Sequence, residues 1–341
     1  MKFDFSVIKN FRNFSGPELK IKWDPGINLI LGPNGSGKTN LLESLSVMCG
    51  WGSFTRTQNM MSWNDPTSRA LTFAQLSGEE KFTVSAAISS RVALRINDKA
   101  ISFTDLRLAV PSIIFLTGGV NLIDGAPSAR RLFMDRLCSL LFPPYAKKLS
   151  DFKYVMRSRT ALLRQGKSPD ATAKLFCSLG GFIMDRRREV AGLLKTVMNQ
   201  NNFSVEFLPV LNIAGERFLT KALKESSARE RQAMRPLTGP NYDELAIILS
   251  NNGKSASEAL SRGQKRKLIL NMIITAGKLI MLRLGRKPIL LFDDLTAELD
   301  FEGREWTRQK LLETGWQVFM TAPEMPFADE KNIFAAVNFP K

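Results

Sequence analysis

Hydrophobic and polar residues alternate from the start of the chain. Phe3, Phe5, Val7 and Ile8 predict a strand. Past a turn at Ser15-Gly16-Pro17, Leu19, Ile21 and Trp23 predict its hairpin-like partner. After Asp24-Pro25-Gly26, the run Ile27-Asn28-Leu29-Ile30-Leu31 is short, mostly apolar and flanked by Gly and Pro, which predicts a buried strand. The period then changes. A helical pattern runs from Lys38 to about Val47, and Ala70 to Ala100 returns to strands, with turns at Ser77-Gly78 and Asn97-Asp98.

The middle of the chain is helical. Ser128–Leu141 ends at Pro143-Pro144, Tyr145–Gln165 follows, and Asp170 to about Asn201 is a third helical region with a weak point at Gly180-Gly181. Strand and helix alternation resumes at Asp243. Glu258–Leu284 reads as helix, and Pro288–Phe292 and Trp316–Thr321 are short apolar runs. The expectation is an α/β fold interrupted by a helical lobe, divided as 1–108, 109–242 and 243–341. Sustained heptads are absent, so no long coiled coil is expected. Asn271, Lys278 and Arg283 interrupt the most apolar stretch, Leu268–Leu284, which reads as a buried helix and not a membrane span.

Composition narrows the chemistry. The chain has 341 residues, enough for roughly two domains, and 44% are apolar, as in globular proteins. It contains no histidine, which excludes Ser-His-Asp and Cys-His nucleophiles and the common His-ligated metal sites. Cys49, Cys138 and Cys177 are far apart and odd in number, giving neither a disulfide framework nor zinc spacing. The opening residues are not a secretory signal, and the cytoplasm is the expected compartment. The net charge is +16. From Gly125 to Gln200, 15 Lys or Arg face 5 Asp or Glu, so this segment carries +10 of it. A clustered basic surface attracts polyanions, with nucleic acid the commonest and a solvated basic face the plain alternative.

Four ordered motifs carry the chemistry. Gly32-Pro33-Asn34-Gly35-Ser36-Gly37-Lys38-Thr39 matches the P-loop pattern and sits between a predicted strand and helix. Its glycines let backbone amides surround phosphates, Lys38 would reach the β and γ phosphates, and Thr39 would ligate Mg²⁺. Pro288-Ile289-Leu290-Leu291-Phe292-Asp293-Asp294 is an apolar strand ending in two carboxylates. There Asp293 would hold Mg²⁺, and Asp294 would orient or deprotonate the attacking water. Leu260-Ser261-Arg262-Gly263-Gln264 resembles the signature of ABC-type ATPases, although a Ser at a helix start is also an ordinary cap. Thr296-Ala297-Glu298-Leu299-Asp300 resembles their D-loop. In that class a nucleotide lies between the P-loop of one head and the signature of another. With one copy of each, a complete ATP site needs a second chain.

The motif set and its flanks resemble the RecF family of bacterial recombination proteins, head-type relatives of the SMC and Rad50 ATPases. The resemblance covers about residues 1 to 325. It includes Asn10-Phe11-Arg12-Asn13-Phe14, the P-loop continuing through Asn40-Leu41-Leu42-Glu43, Gly125-Ala126-Pro127-Ser128-Ala129-Arg130-Arg131, Tyr145–Leu163 and Thr238-Gly239-Pro240. It also includes Gln317–Thr321, where Thr321 stands in the place transporters give to a switch histidine. Three segments depart from the family: Thr117–Leu122, Asn241-Tyr242-Asp243-Glu244 in place of His-Arg-Asp-Asp, and the large Arg262 inside the signature.

The resemblance implies an ABC-type P-loop ATPase head with mixed sheets that dimerises on ATP. It would bind duplex DNA near single-strand gaps, support recombinase loading with RecR and RecO, and release DNA by slow, DNA-stimulated hydrolysis. ATP contacts are expected from Gly32 to Asn40, with Arg12 on a phosphate. Ser261, Gly263, Gln264 and Asp300 are expected to act in trans. The DNA candidates are Arg130, Arg131, Lys153, Arg157 and Arg164, with Arg186 to Arg188 beside them. Open alternatives are a transporter subunit and a RecF-like ATPase of another DNA-processing or defence system.

Overall fold

The computed structural model describes residues 1–54, 60–61, 68–116, 122–198, 203–208, 215–249, 253–297, 299–328 and 333–339. Two compact units emerge, Met1–Gly119 with Arg262–Lys341, and Val120–Ser261.

The first unit holds two sheets. Strands β1 (Lys2–Lys9) and β2 (Leu19–Lys22) form the expected hairpin and join β4 (Ala70–Ser77), β5 (Lys81–Ile88), β6 (Val92–Ile96) and β7 (Lys99–Ile101) in an antiparallel sheet of order β2-β1-β4-β5-β6-β7. The turn between β6 and β7 places Asn97 and Asp98 at φ 44° and 64°, which short polar side chains tolerate. The second sheet is parallel, in the order β13-β3-β12-β11-β8. Its strands are β3 (Ile27–Leu31), β8 (Ser112–Phe115), β11 (Ile289–Asp293), β12 (Val318–Ala322) and β13 (Ile333–Asn338). Every residue of β3, β11 and β12 is buried, as the apolar runs predict for central parallel strands. Around this sheet come α1 (Lys38–Met48), α2 (Phe103–Ala109), α8 (Arg262–Leu284) and α9 (Phe301–Thr314).

Gln317 joins the two sheets. Its buried amide accepts from the Phe3 nitrogen at 2.7 Å and donates to the Phe3 and Asp24 carbonyls at 2.9 and 2.7 Å. Phe3 and Trp23 pack edge-on against Phe319 beside it.

The second unit is the expected helical lobe: α3 (Pro127–Leu141), α4 (Tyr145–Arg164), α5 (Asp170–Met198), α6 (Gly215–Ala233) and the single turn α7 (Ala256–Ala259). Strand β10 (Glu244–Leu249) pairs antiparallel with β9 (Phe203–Leu208). The unit therefore runs past the expected boundary at 242. The boundary at 108 shifts as well, because β8 pairs with β11 in the parallel sheet. Gly180-Gly181 does not weaken α5, which is continuous for 29 residues. It lets α6 approach: a Cβ at Gly180 would lie 2.7 Å from Leu219, and one at Gly181 2.5 Å from the Glu216 backbone nitrogen. No long coiled coil occurs among the described residues. No described helix is long and apolar enough to cross a membrane.

Charge holds the lobe together. Buried Arg187 of α5 donates to Asp135 of α3, to Asp243 at 2.8 Å and to the Pro240 carbonyl, while the Tyr145 hydroxyl donates to the same Asp135 oxygen. Burial pushes the Asp243 carboxyl up to about 6, against the opposing pull of Arg187. Buried Arg159 of α4 pairs with Glu230 of α6 at 2.7 Å. Removing one partner of such a pair leaves a charge without compensation. We therefore expect Arg187→Met to destabilise the lobe by about 3–5 kcal/mol, read as a lower urea midpoint at an unchanged slope.

Candidate functional site

The P-loop leaves the C-terminal end of β3. Gly35 and Gly37 adopt φ 85° and 105°, a left-handed backbone that residues with a Cβ rarely adopt. A Cβ on Gly37 would also strike the Asn13 amide at 2.3 Å. Gly37 is the N-cap of α1 and has no side-chain cap, so the first amides of the helix are left to the loop. Lys38 folds back over the loop, its ammonium donating to the Gly32 and Pro33 carbonyls at 2.6 and 2.8 Å. Burial holds this ammonium below its usual range, opposed by Asp294 and Asp293.

The parallel register brings the end of the chain to the same place. Asp293 closes β11 opposite Thr321 in β12. Its Oδ1 accepts from the Thr39 hydroxyl at 2.9 Å and the Thr321 hydroxyl at 2.7 Å. Thr321 accepts in turn from the Asp294 amide at 2.9 Å. Asp294 adopts φ 55°, which turns the chain sharply as it leaves the strand. Arg266, buried in α8, donates to the Asp294 and Leu295 carbonyls at 3.4 and 3.3 Å. These groups surround an open cavity of about 420 Å³, lined by Asn34, Gly35 and Gly37–Asn40 on one side and Asp293, Asp294, Thr321 and Pro323 on the other.

Arg12 does not line this cavity. Its guanidinium is buried and doubly paired with Glu43 of α1, through Nε to Oε2 and through Nη2 to Oε1 at 2.8 Å. Glu43 also accepts from Ser53 and the Phe54 amide. The next residue reaches the P-loop instead. The Asn13 amide donates to the Ser36 carbonyl at 3.4 Å and accepts from Asn40 at 2.7 Å. The Asn10–Phe14 segment thus meets the P-loop through the Asn13 amide.

The signature spans the division between the two units. Leu260 ends α7, and Ser261, Arg262 and Gln264 face solvent where α8 begins. None of them, nor Gly263, lines the cavity. Asp300 caps α9 by accepting from the Gly303 amide at 2.8 Å. Glu298 and the departing segment Thr117–Asn121 lie outside the described residues.

The basic candidates divide into two groups. Arg130 is consumed inside the lobe, bonded to Glu244 through two nitrogens and to the Gly125 carbonyl at 2.9 Å. Arg131 donates to the Asp243 carbonyl at 3.0 Å. Both hold α3 to the start of β10. Arg187 is buried, and Arg186 lies over Phe142 and Phe182 and pairs with Glu189. Lys153, Arg157 and Arg164 of α4 are exposed, and none enters an ion pair among the described residues.

Comparison with known proteins agrees with this architecture. The family model described as the RecF/RecN/SMC N terminal domain matches residues 6–339. The DNA replication and repair protein RecF of Heliobacterium modesticaldum is 29% identical, with 95% of this chain and 93% of the relative covered. The protein of the same name from Moorella thermoacetica is 28% identical over 93% of this chain and 88% of its own length. Among solved structures, the recombination mediator protein RecF with ATPrS, of the RecFOR pathway, superposes with a TM-score of 0.84 at 22% identity, covering 95% of this chain and 93% of that one. An SMC head bound to the C-winged helix domain of ScpA superposes at 0.56 and 16% identity, over 98% and 93% of the two chains. The fold is that of RecF and SMC heads.

Thr321→Val keeps the side-chain shape but removes a donor from Asp293 and the acceptor of the Asp294 amide. We expect a loss of about 1–3 kcal/mol, measured by urea unfolding followed by tryptophan fluorescence.

Proposed function

Because the chain belongs to the RecF/RecN/SMC N-terminal domain family, we propose that it is an ATP-dependent DNA-binding protein of recombination and repair. It would dimerise on ATP, bind duplex DNA near single-strand gaps, and let go after slow, DNA-stimulated hydrolysis. One observation supports this most. A P-loop, two strand-end carboxylates and Thr321 surround one cavity, while the signature segment of the same chain faces solvent outside it. This supports a shared site in which one head supplies the P-loop half and a second copy supplies the signature.

The cavity residues divide the work. The glycine-rich turn and the start of α1 offer amides to the phosphates. Lys38 would exchange the Gly32 and Pro33 carbonyls for phosphate oxygens. Thr39 and Asp293 supply hard oxygen donors from two elements at one point, a set that fits Mg²⁺. The ion, when bound, neutralises charge on the phosphates. Asp294 would orient the attacking water and take its proton, with its backbone held by Thr321 and Arg266. Ser261, Gly263, Gln264 and Asp300 would meet the nucleotide of the partner head. Lys153, Arg157 and Arg164 would contact DNA phosphates, giving affinity without sequence preference. The names and pathway of the relatives support a role in recombinase loading with RecR and RecO. The departures at Asn241 and Tyr242 belong to a turn whose Asp243 and Glu244 anchor arginines inside the lobe, outside the cavity-bearing unit.

Light scattering with ATP–Mg²⁺ and a short duplex tests the shared site. The expected result is a doubled mass that needs ATP and carries DNA. Lys38→Met should remain monomeric, and Asp294→Asn should accumulate as a dimer. A folded Asp294→Asn protein that stays monomeric with ATP would sink the shared-site reading. Reversing Lys153, Arg157 and Arg164 to Glu should reduce the slope of log affinity against log salt by roughly three.

A further inference from the structure

Helix α4 presents one aromatic on its charged face. The residues exposed along it are Lys147, Ser150, Tyr154, Arg157, Ala161 and Arg164, with Lys153 at the flank. Their spacing of three and four residues makes them a single stripe. The opposite side of the helix carries Phe152, Val155, Arg159 and Leu163 into the lobe. Tyr154 is 67% exposed, although a tyrosine of α4 could have been turned inward as Tyr145 is. Its hydroxyl and ring have no partner among the described residues. The only acidic residue of α4, Asp151, is paired with Lys147.

An exposed aromatic ring amid unpaired cations matches the chemistry of unstacked nucleobases. Every base has a face that can stack on the ring, and the cations hold the phosphates on either side. Paired bases inside a duplex are stacked already and offer no free face. From Tyr154 to Arg164 the helix rises about 15 Å, roughly the axial length of four base pairs. We propose that Tyr154 stacks on the first unpaired base at a duplex end or gap, while Arg157 and Arg164 sit on the adjoining duplex phosphates. The α4 stripe would then read the junction between paired and unpaired DNA. This rests on the reading of α4 as the DNA-contacting face, and makes Tyr154 the residue that sets its structural preference.

The experiment compares two DNAs of equal length, a continuous duplex and one with a short gap whose first unpaired position carries a fluorescent adenine analogue. With the full-length protein and ATP–Mg²⁺, Tyr154→Ala should weaken binding to the gapped DNA by about 5- to 100-fold. Binding to the continuous duplex should change less than about twofold, and the quenching of the analogue should be lost. Tyr154→Phe should keep both the preference and the quenching, since the ring remains. If Tyr154→Ala changes both DNAs equally, or neither, Tyr154 does not read an unpaired base and the proposal falls. The protein with Lys153, Arg157 and Arg164 reversed to Glu separates the two levels. If it binds both DNAs as the parent does, α4 is not the DNA face, and the proposal falls with that reading. If it loses both DNAs while only Tyr154→Ala loses the gap preference, the division of roles along the stripe is supported.

Discussion

Two hydroxyls meet at one carboxylate oxygen. Thr39 and Thr321 both donate to Oδ1 of Asp293, and they come from opposite ends of the chain. The contact is possible because β3, β11 and β12 are parallel neighbours whose C-terminal ends open on the same side. Thr39 brings the P-loop helix, Asp293 ends a fully buried strand, and Thr321 also holds the amide of the next acid. Arg266 adds a fourth element by gripping the carbonyls beyond β11 from α8. A small shift in any of these elements displaces the others, because each is bonded at the site and not merely close to it.

The lobe uses its charge differently. Part of its basic content is spent inside. Arg130, Arg159 and Arg187 are held by carboxylates and carbonyls that close the helices on one another. Such pairs add less net stability than their number suggests, because burying both ions costs nearly as much as their attraction returns. Their geometry nevertheless excludes other packings of α3 to α6, since any rearrangement strands a charge. The solvent-facing field is left to the exposed cations of α4, α5 and α6, among them Lys153, Arg157 and Arg164 on α4.

Much of this was legible in the sequence, and the exceptions have physical causes. Strands β1 to β6 and helices α1, α3, α4 and α5 followed from periodicity and from Gly and Pro punctuation. The P-loop and the two carboxylates were recognisable because each needs fixed residue types at fixed spacing beside a buried strand. The sequence could not show which arginines are free. Arg130 and Arg157 look alike in a charge count, and only the fold places Glu244 against the first. The pairing of Arg12 was hidden for the same reason, since Glu43 lies 31 residues away, beyond β2, β3 and the P-loop. Gly180-Gly181 misled in the other direction: two adjacent glycines usually loosen a helix, but here they make room for α6. Helices α6 and α9 and strand β8 carried too little pattern of their own and are fixed by what they pack against.

Thr321 has one more consequence. An imidazole in that place would gain and lose a proton within the range of pH that cells experience, whereas a threonine hydroxyl does neither. With no histidine anywhere in the chain, the hydrogen bonds joining Thr39, Asp293, Thr321 and the Asp294 amide contain no imidazole. The contacts that fix Asp293 and the Asp294 backbone are therefore made by hydroxyls, an amide and a carboxylate, with no imidazole charge entering or leaving them.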